Sequence, residues 1–200
     1  MSIFHRTRLL YSLCALLLTS CASKLPEHFY ALDTGPGTNS RTSSNAEFSL
    51  TVDRITLPEL VDRPQIVLTG PDHSVRLMEG QRWAESLRQA IPRVVIGNLR
   101  RQFTHASIAG ASASTASLQP NYKLAMDIDR FDSRQGEQVD ITVHWRLRNA
   151  TGSVLHDSVS TLREIPEAAT FDALVAAHNK ALNRLGSEIG ETIAAIIYKK

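Results

Sequence analysis

The sequence predicts an α+β fold: an antiparallel or mixed β-sheet with two main helices packed on one face. Three observations carry this expectation. Apolar and polar residues alternate over 122–128 and 139–147, the period of two that a half-buried strand shows. Over 82–103 and 171–197 the apolar residues recur instead at helical spacing. Strands come first, then a helix, more strands and a closing helix, an order that segregates helix from sheet. With 200 residues and 42% hydrophobic side chains, the chain can bury a substantial core.

Each element has its own signal. Phe29-Tyr30-Ala31-Leu32 is a short apolar strand candidate. Residues 33–46, DTGPGTNSRTSSNA, are rich in Gly, Ser, Thr and Asn and predict a flexible connector. Between Phe48 and Thr56, the side chains of Phe48, Leu50 and Val52 share one face. Gln65–Thr69 reads as a compact strand, Gly70-Pro71-Asp72-His73 as a turn, and Ser74–Met78 as the returning partner. Trp83, Leu87, Ile91, Val94, Val95, Leu99 and Phe103 then form one helical stripe, with Arg88, Arg93, Arg100 and Arg101 off it. Pro92 lies inside that run and should kink or restart the helix, because it lacks an N–H and its ring crowds the preceding turn.

Ala106–Ser117 is nearly featureless and predicts a mobile surface loop. Tyr122, Leu124, Met126 and Ile128 alternate, and Phe131 breaks the phase, so a bulge is expected near Asp129-Arg130. Val139, Ile141, Val143, Trp145 and Leu147 give the cleanest alternation. Their polar neighbours imply a sheet covered on one side only. Asn149-Ala150-Thr151-Gly152 turns the chain into a further strand over 153–162. Thr170 can cap the last helix, and Asp172 suits its first turn. The apolar side of that helix runs from Phe171 through Leu182 and Leu185 to Ile197, and Lys199 and Lys200 have the right sign for its end.

The N-terminus predicts an address. Arg6 and Arg8 form a positive n-region, and Leu9–Leu18 is an apolar stretch of about ten residues, a signal h-region and too short to span a bilayer. Leu18-Thr19-Ser20-Cys21 matches a bacterial lipobox, with cleavage between Ser20 and Cys21. Cys21 would carry a diacylglycerol on its thiol and an N-acyl chain on the freed amine; no other cofactor is expected. Each buried CH₂ adds roughly 0.8 kcal/mol, so two or three chains anchor stably where one does not. Cys14 leaves with the signal, so no disulfide is expected. Of 22 Lys+Arg, Arg6 and Arg8 leave too, and the remainder balances 20 Asp+Glu. That neutrality argues against a nucleic-acid partner. The expected division is residues 1–20 as signal peptide, 21–46 as lipidated N-terminus, short strand and connector, and 47–200 as a single α+β domain. Ala22 in place of an aspartate favours the periplasmic face of the outer membrane over the inner membrane.

Catalytic patterns are absent. The seven histidines show no metal spacing, and no nucleophile elbow, phosphate loop or dinucleotide fingerprint occurs. His178 on an apolar helix face reads as a partly buried core residue, and His144 as part of a solvated strand face. Asp127 and Asp129 fit a polar strand face better than a paired acid site. No enzyme and no metal are expected. The segment Leu57, Pro58, Glu59, Leu60, Val61, Asp62, Arg63, Pro64 and Gln65 differs, because its prolines stiffen a loop rich in apolar residues. Two readings stand: the loop offers Leu57, Leu60 and Val61 to a partner, or it docks on its own core.

The order of lipobox, F-Y-A-L, L-P-E-L-V-D-R-P-Q-I-V, R-W-A-E-S-L-R-Q-A-I, R-F-D and H-W-R-L-R-N-A-T-G resembles the ABC-type transport auxiliary lipoproteins, in particular the paraquat-inducible protein C-like, MCE-associated group. The resemblance covers nearly all of the chain after Cys21. Ser86 stands where proline is expected, and Pro92 falls mid-helix. The resemblance implies an accessory subunit of an intermembrane lipid transport system. It would dock or receive a periplasmic MCE-domain protein with its ABC transporter subunits, anchored to the membrane through its lipid, as a homo-oligomer. The implied cargo is lipid, with phospholipid a candidate ligand and the identity of the lipid left open. The alternative is a stand-alone lipid- or envelope-component-binding lipoprotein, which requires a ligand pocket between sheet and helices around Trp83 and Trp145.

Overall fold

The computed structural model describes residues 26–35, 46–113 and 119–198. The signal region, Cys21, most of the 33–46 connector, Lys199 and Lys200 lie outside the described residues. In chain order the elements are β1 (His28–Tyr30), β2 (Ser49–Val52), β3 (Gln65–Thr69), β4 (Val75–Trp83), α1 (Leu87–Gln102), β5 (Ser107–Gly110), β6 (Tyr122–Arg134), β7 (Gln138–Asn149), β8 (Val154–Glu164) and α2 (Phe171–Tyr198). They build two mixed sheets and two helices, an α+β fold. The smaller sheet runs β1-β4-β3 and the larger β5-β2-β6-β7-β8. In the larger sheet β5, β2 and β6 are parallel, and β6, β7 and β8 are antiparallel.

The long hairpin obeys its alternation. Leu124 faces Leu147, Met126 faces Trp145 and Ile128 faces Val143, and all six are buried. The register slips between Ile128 and Arg130, the bulge expected from Phe131's change of phase. Asp129 therefore falls out of the ladder, and Asp127 turns to Thr56 instead of pairing with it. α2 begins at a working cap: Thr170 Oγ1 accepts the Ala173 N–H at 3.2 Å and its carbonyl the Leu174 N–H at 3.0 Å. Apolar side chains of both sheets and both helices join in one continuous core.

Four expectations need correction. Trp83 does not open the first helix. It ends β4 opposite Tyr30 and donates its N–H to Pro64 O at 2.7 Å. The polar run Glu79-Gly80-Gln81-Arg82 extends β4 well past Met78, because β1 pairs along it in parallel. Ala106–Ser117 is not all loop. Ser107–Gly110 adds a strand to the free side of β2, with Ile108 buried against Leu50's register position. Residues 114–118 lie outside the described residues. The connector also starts under restraint: Asp33 N–H reaches Asn179 Oδ1 at 2.9 Å, and Arg101 Nη2 reaches Thr34 O at 2.6 Å.

α1 runs across Pro92 without ending. Pro92 is only its sixth residue, so the single backbone hydrogen bond it forfeits lies near the start of the helix. α1 and α2 then meet at small residues. A Cβ added at Gly186 would stand 2.6 Å from Asn98 Cβ, so glycine is what lets the two helices approach. Gln102 Nε2 uses that approach to donate to Gly186 O at 3.2 Å.

Candidate partner interface

The loop from β2 to β3 is fastened along its length. Asp53 donates its N–H to Leu124 O at 2.8 Å. Thr56 bridges to Asp127 in parallel, with its Oγ1 donating to Asp127 Oδ1 at 2.7 Å and its carbonyl accepting the Ile128 N–H at 3.1 Å. Pro58 O accepts the N–H groups of Val61 at 3.1 Å and Asp62 at 3.2 Å, closing a turn. Arg88, from α1, donates to Asp62 Oδ2 at 2.7 Å and to Ile55 O at 3.3 Å. Gln65 Nε2 reaches Glu79 Oε2 at 3.1 Å.

These ties divide the expected site. Leu57 and Val61 belong to the core, so they are not offered to a partner. Leu60 stands out at 43% exposure, flanked by exposed Glu59 and Asp62, with exposed Pro64 beyond. Pro58, Arg63 and Gln65 are half-buried, and Arg63 Nε has no hydrogen-bond partner among the described residues. The arrangement is a rigid turn with one apolar side chain at its tip. Its conformational cost was met on folding, so binding need not meet it again.

The open face of the larger sheet is the other candidate contact surface. Asp157 on β8 accepts from Arg146 at 2.8 Å and pairs with His144, both on β7. The His144 hydrogen bond, then Arg146, holds the Asp157 carboxyl below the usual range. Asp140 is buried beneath Arg163, 2.9 Å away, and Arg134, 3.4 Å away. Burial pushes its carboxyl up, but these hydrogen bonds and charges outweigh burial and bring it below normal. Val159, 58% exposed on the outermost strand, and Val154, opposite Arg148, add apolar surface to this charged face.

Two polar arrangements escaped the sequence reading. Lys180 and Arg184, one helical turn apart on α2, clamp the buried Glu164 at 2.8 and 2.6 Å and fix the end of β8. Burial raises the Glu164 carboxyl, and the two cations more than reverse it. Their i, i+4 spacing was visible, but the partner lies across the fold. The second is the partner of His178: the residue is in the core as expected, and fully buried, but its pairing across the fold with Ser133 was not read. His178 hydrogen-bonds Ser133 Oγ through Nε2 at 2.8 Å and stacks on Phe131 with centroids 4.4 Å apart. Desolvation lowers its pKa to about 3, and Nδ1 has no partner. Without an acid behind it or access in front of it, this Ser–His pair is a core contact.

Among the described residues both tryptophans are buried and packed against protein groups, where the alternative requires them to line a pocket. Trp145 donates to Ser160 Oγ at 2.9 Å, and Ser160 donates to Glu188 Oε1 at 2.6 Å. Trp83 packs edge-on against Phe131 and His178. The gap beside Trp83 does not admit even a water molecule, against the ~300 Å³ of the smaller ligand sites. Among the described residues no cluster of three or more His, Cys, Asp or Glu could hold a metal, and no helix is long and apolar enough to cross a membrane.

The model of one protein family, the ABC-type transport auxiliary lipoprotein component, matches residues 30–190. Two crystal structures share the fold. Protein XCC0632 from Xanthomonas campestris is 17% identical, with a TM-score of 0.71 over 86% of this chain and 97% of that one. An uncharacterized protein is also 17% identical, with a TM-score of 0.69 over 84% of this chain and 99% of that one. No curated protein is found to match this chain.

Proposed function

We propose, from the premise that this chain belongs to the family of ABC-type transport auxiliary lipoprotein components, that it is a docking or receiving subunit for a periplasm-spanning MCE-domain protein and its ABC transporter in intermembrane lipid transport. Cys21 anchors it by acyl chains to the periplasmic face of the outer membrane. The observation that carries the contact assignment is the fastened turn at 57–65, which holds Leu60 out between Pro58 and Pro64. The protein works as a homo-oligomer. The unpaired outer edge of β8, eleven residues long and free of proline and lysine, supports this, because such an edge invites further strand pairing.

The test is crosslinked capture of the lipidated, full-length protein from membranes, with mass spectrometry of proteins and lipids together. An MCE-domain protein with its ABC subunits is the expected recovery. Leu60→Arg should reduce that recovery several-fold and leave membrane attachment intact. Lipid recovered with no such partner would favour the stand-alone carrier instead. Sedimentation of the same preparation as a monomer would remove the oligomer from this reading.

A further inference from the structure

A cleft of about 490 Å³ separates α1 from the ends of β2 and β5. Its size lies within the range of small-molecule sites. Val52, Pro92 and Ile96 give it an apolar floor, and Arg54, Arg88, Arg93 and Arg100 surround that floor. Helical spacing explains the grouping: residues 88, 92, 96 and 100 descend one side of α1, and Arg93 projects beside them.

The arginines are held, but not all are neutralised. Arg88 is paired with Asp62, and Arg93 with Glu85. Among the described residues, Arg100 is anchored only by the Ile108 carbonyl, to which Nε and Nη2 donate at 2.9 and 2.6 Å. That anchor fixes the guanidinium and leaves its charge and Nη1 uncommitted. Arg54 has no hydrogen bond or ion pair among the described residues. The cleft also holds one acid, Asp53, whose carboxyl burial pushes up, with the charges of Lys123 and Arg148 only partly offsetting the rise. Two unpaired guanidinium groups therefore share one concave, partly apolar site. Guanidinium forks match phosphate geometry better than any other side chain does.

We infer that this cleft binds a phosphate ester, seated between Arg54 and Arg100, with the apolar body of the ligand on Val52, Pro92 and Ile96. The site stands on the geometry of the cleft and not on the transporter reading, so partner capture and ligand binding can fail separately. A lipid headgroup and a soluble phosphate share this chemistry, and the choice of probes separates them.

The test is calorimetric titration of the full-length protein in a neutral detergent. The probes are dihexanoyl phosphatidylglycerol, dihexanoylglycerol, glycerol 3-phosphate and inorganic phosphate. Saturable binding of the phospholipid and none of dihexanoylglycerol is the expected result. Arg54→Gln and Arg100→Gln should each weaken it about tenfold, the loss of one charge-assisted contact. Arg54→Gln breaks no hydrogen bond or ion pair among the described residues, so its effect does not depend on folding. Arg76→Gln, outside the cleft, should change nothing. Glycerol 3-phosphate or inorganic phosphate binding as tightly as the phospholipid, with the same arginine dependence, would support the site and identify its ligand as soluble. No saturable binding of any phosphate probe, or binding indifferent to both cleft substitutions, would overturn the inference.

Discussion

His178 illustrates what burial does to one side chain. A histidine among Phe131, Trp83 and Ser133 cannot hold a charge, and its pKa drops to about 3 from an ordinary value near 6.5. The folded state thus binds fewer protons than the unfolded chain between those values. Stability is complete above about pH 6.5 and declines as pH falls toward 3, by about 1.4 kcal/mol per pH unit for one proton. Asp140 and Glu164, whose carboxyls are held low, also lose stability on acidification, but only below about pH 5, where the unfolded carboxylates begin to take up protons. Urea midpoints between pH 6.5 and 5 therefore isolate the histidine. His178→Leu should flatten the profile there, at a pH-independent cost for the Ser133 hydroxyl left unpartnered. An unchanged slope would mean another group takes up the proton. The sequence placed His178 on an apolar helix face, but the depth of its burial depends on Trp83, which arrives from β4.

At the scale of elements, alternation made β6 and β7 legible because each buries one face and solvates the other. β5 carried no such signal. Its Ser-Ile-Ala-Gly has one large apolar residue, and parallel pairing with β2 is what makes it a strand. The α1–α2 contact was hidden for a similar reason. Gly186 and Gly190 look like weak points in a helix until Asn98 and Gln102 are seen pressed against them. Gly186→Ala weighs two effects against each other. Helix propensity gains about 1 kcal/mol, and overpacking against the Asn98 Cβ costs about 1–3 kcal/mol. Packing should win, so the variant should unfold at lower denaturant. A midpoint above that of the wild type would show that α1 can shift aside at little cost.

For the whole molecule, the proposed signal and lipobox belong to one continuous stretch, so the proposal rests on the sequence and on no element of the fold. They yield a direct expectation: Cys21→Ser should move the protein from the membrane to the soluble fraction, since on this proposal the acyl chains supply the anchoring free energy. Fractionation followed by immunoblotting decides it, and retention in the membrane would point to an anchor other than Cys21. The interface loop was half legible. Its prolines and apolar residues marked it out, yet the two readings weighed for it divide between its residues: Leu57 and Val61 are core, and Leu60 is surface.

Local order thus wrote much of this protein into its sequence: the turns, the long hairpin, the cap of the last helix and the family segments all lie within short stretches of chain. What needed the folded chain is the part built from distant pairs. Asp62 meets Arg88, Glu164 meets Lys180 and Arg184, and the cleft arginines face the ends of β2 and β5. A charge in a sequence looks the same whether it ends paired, buried or free, because its partner is chosen by packing, and packing is a property of the whole chain.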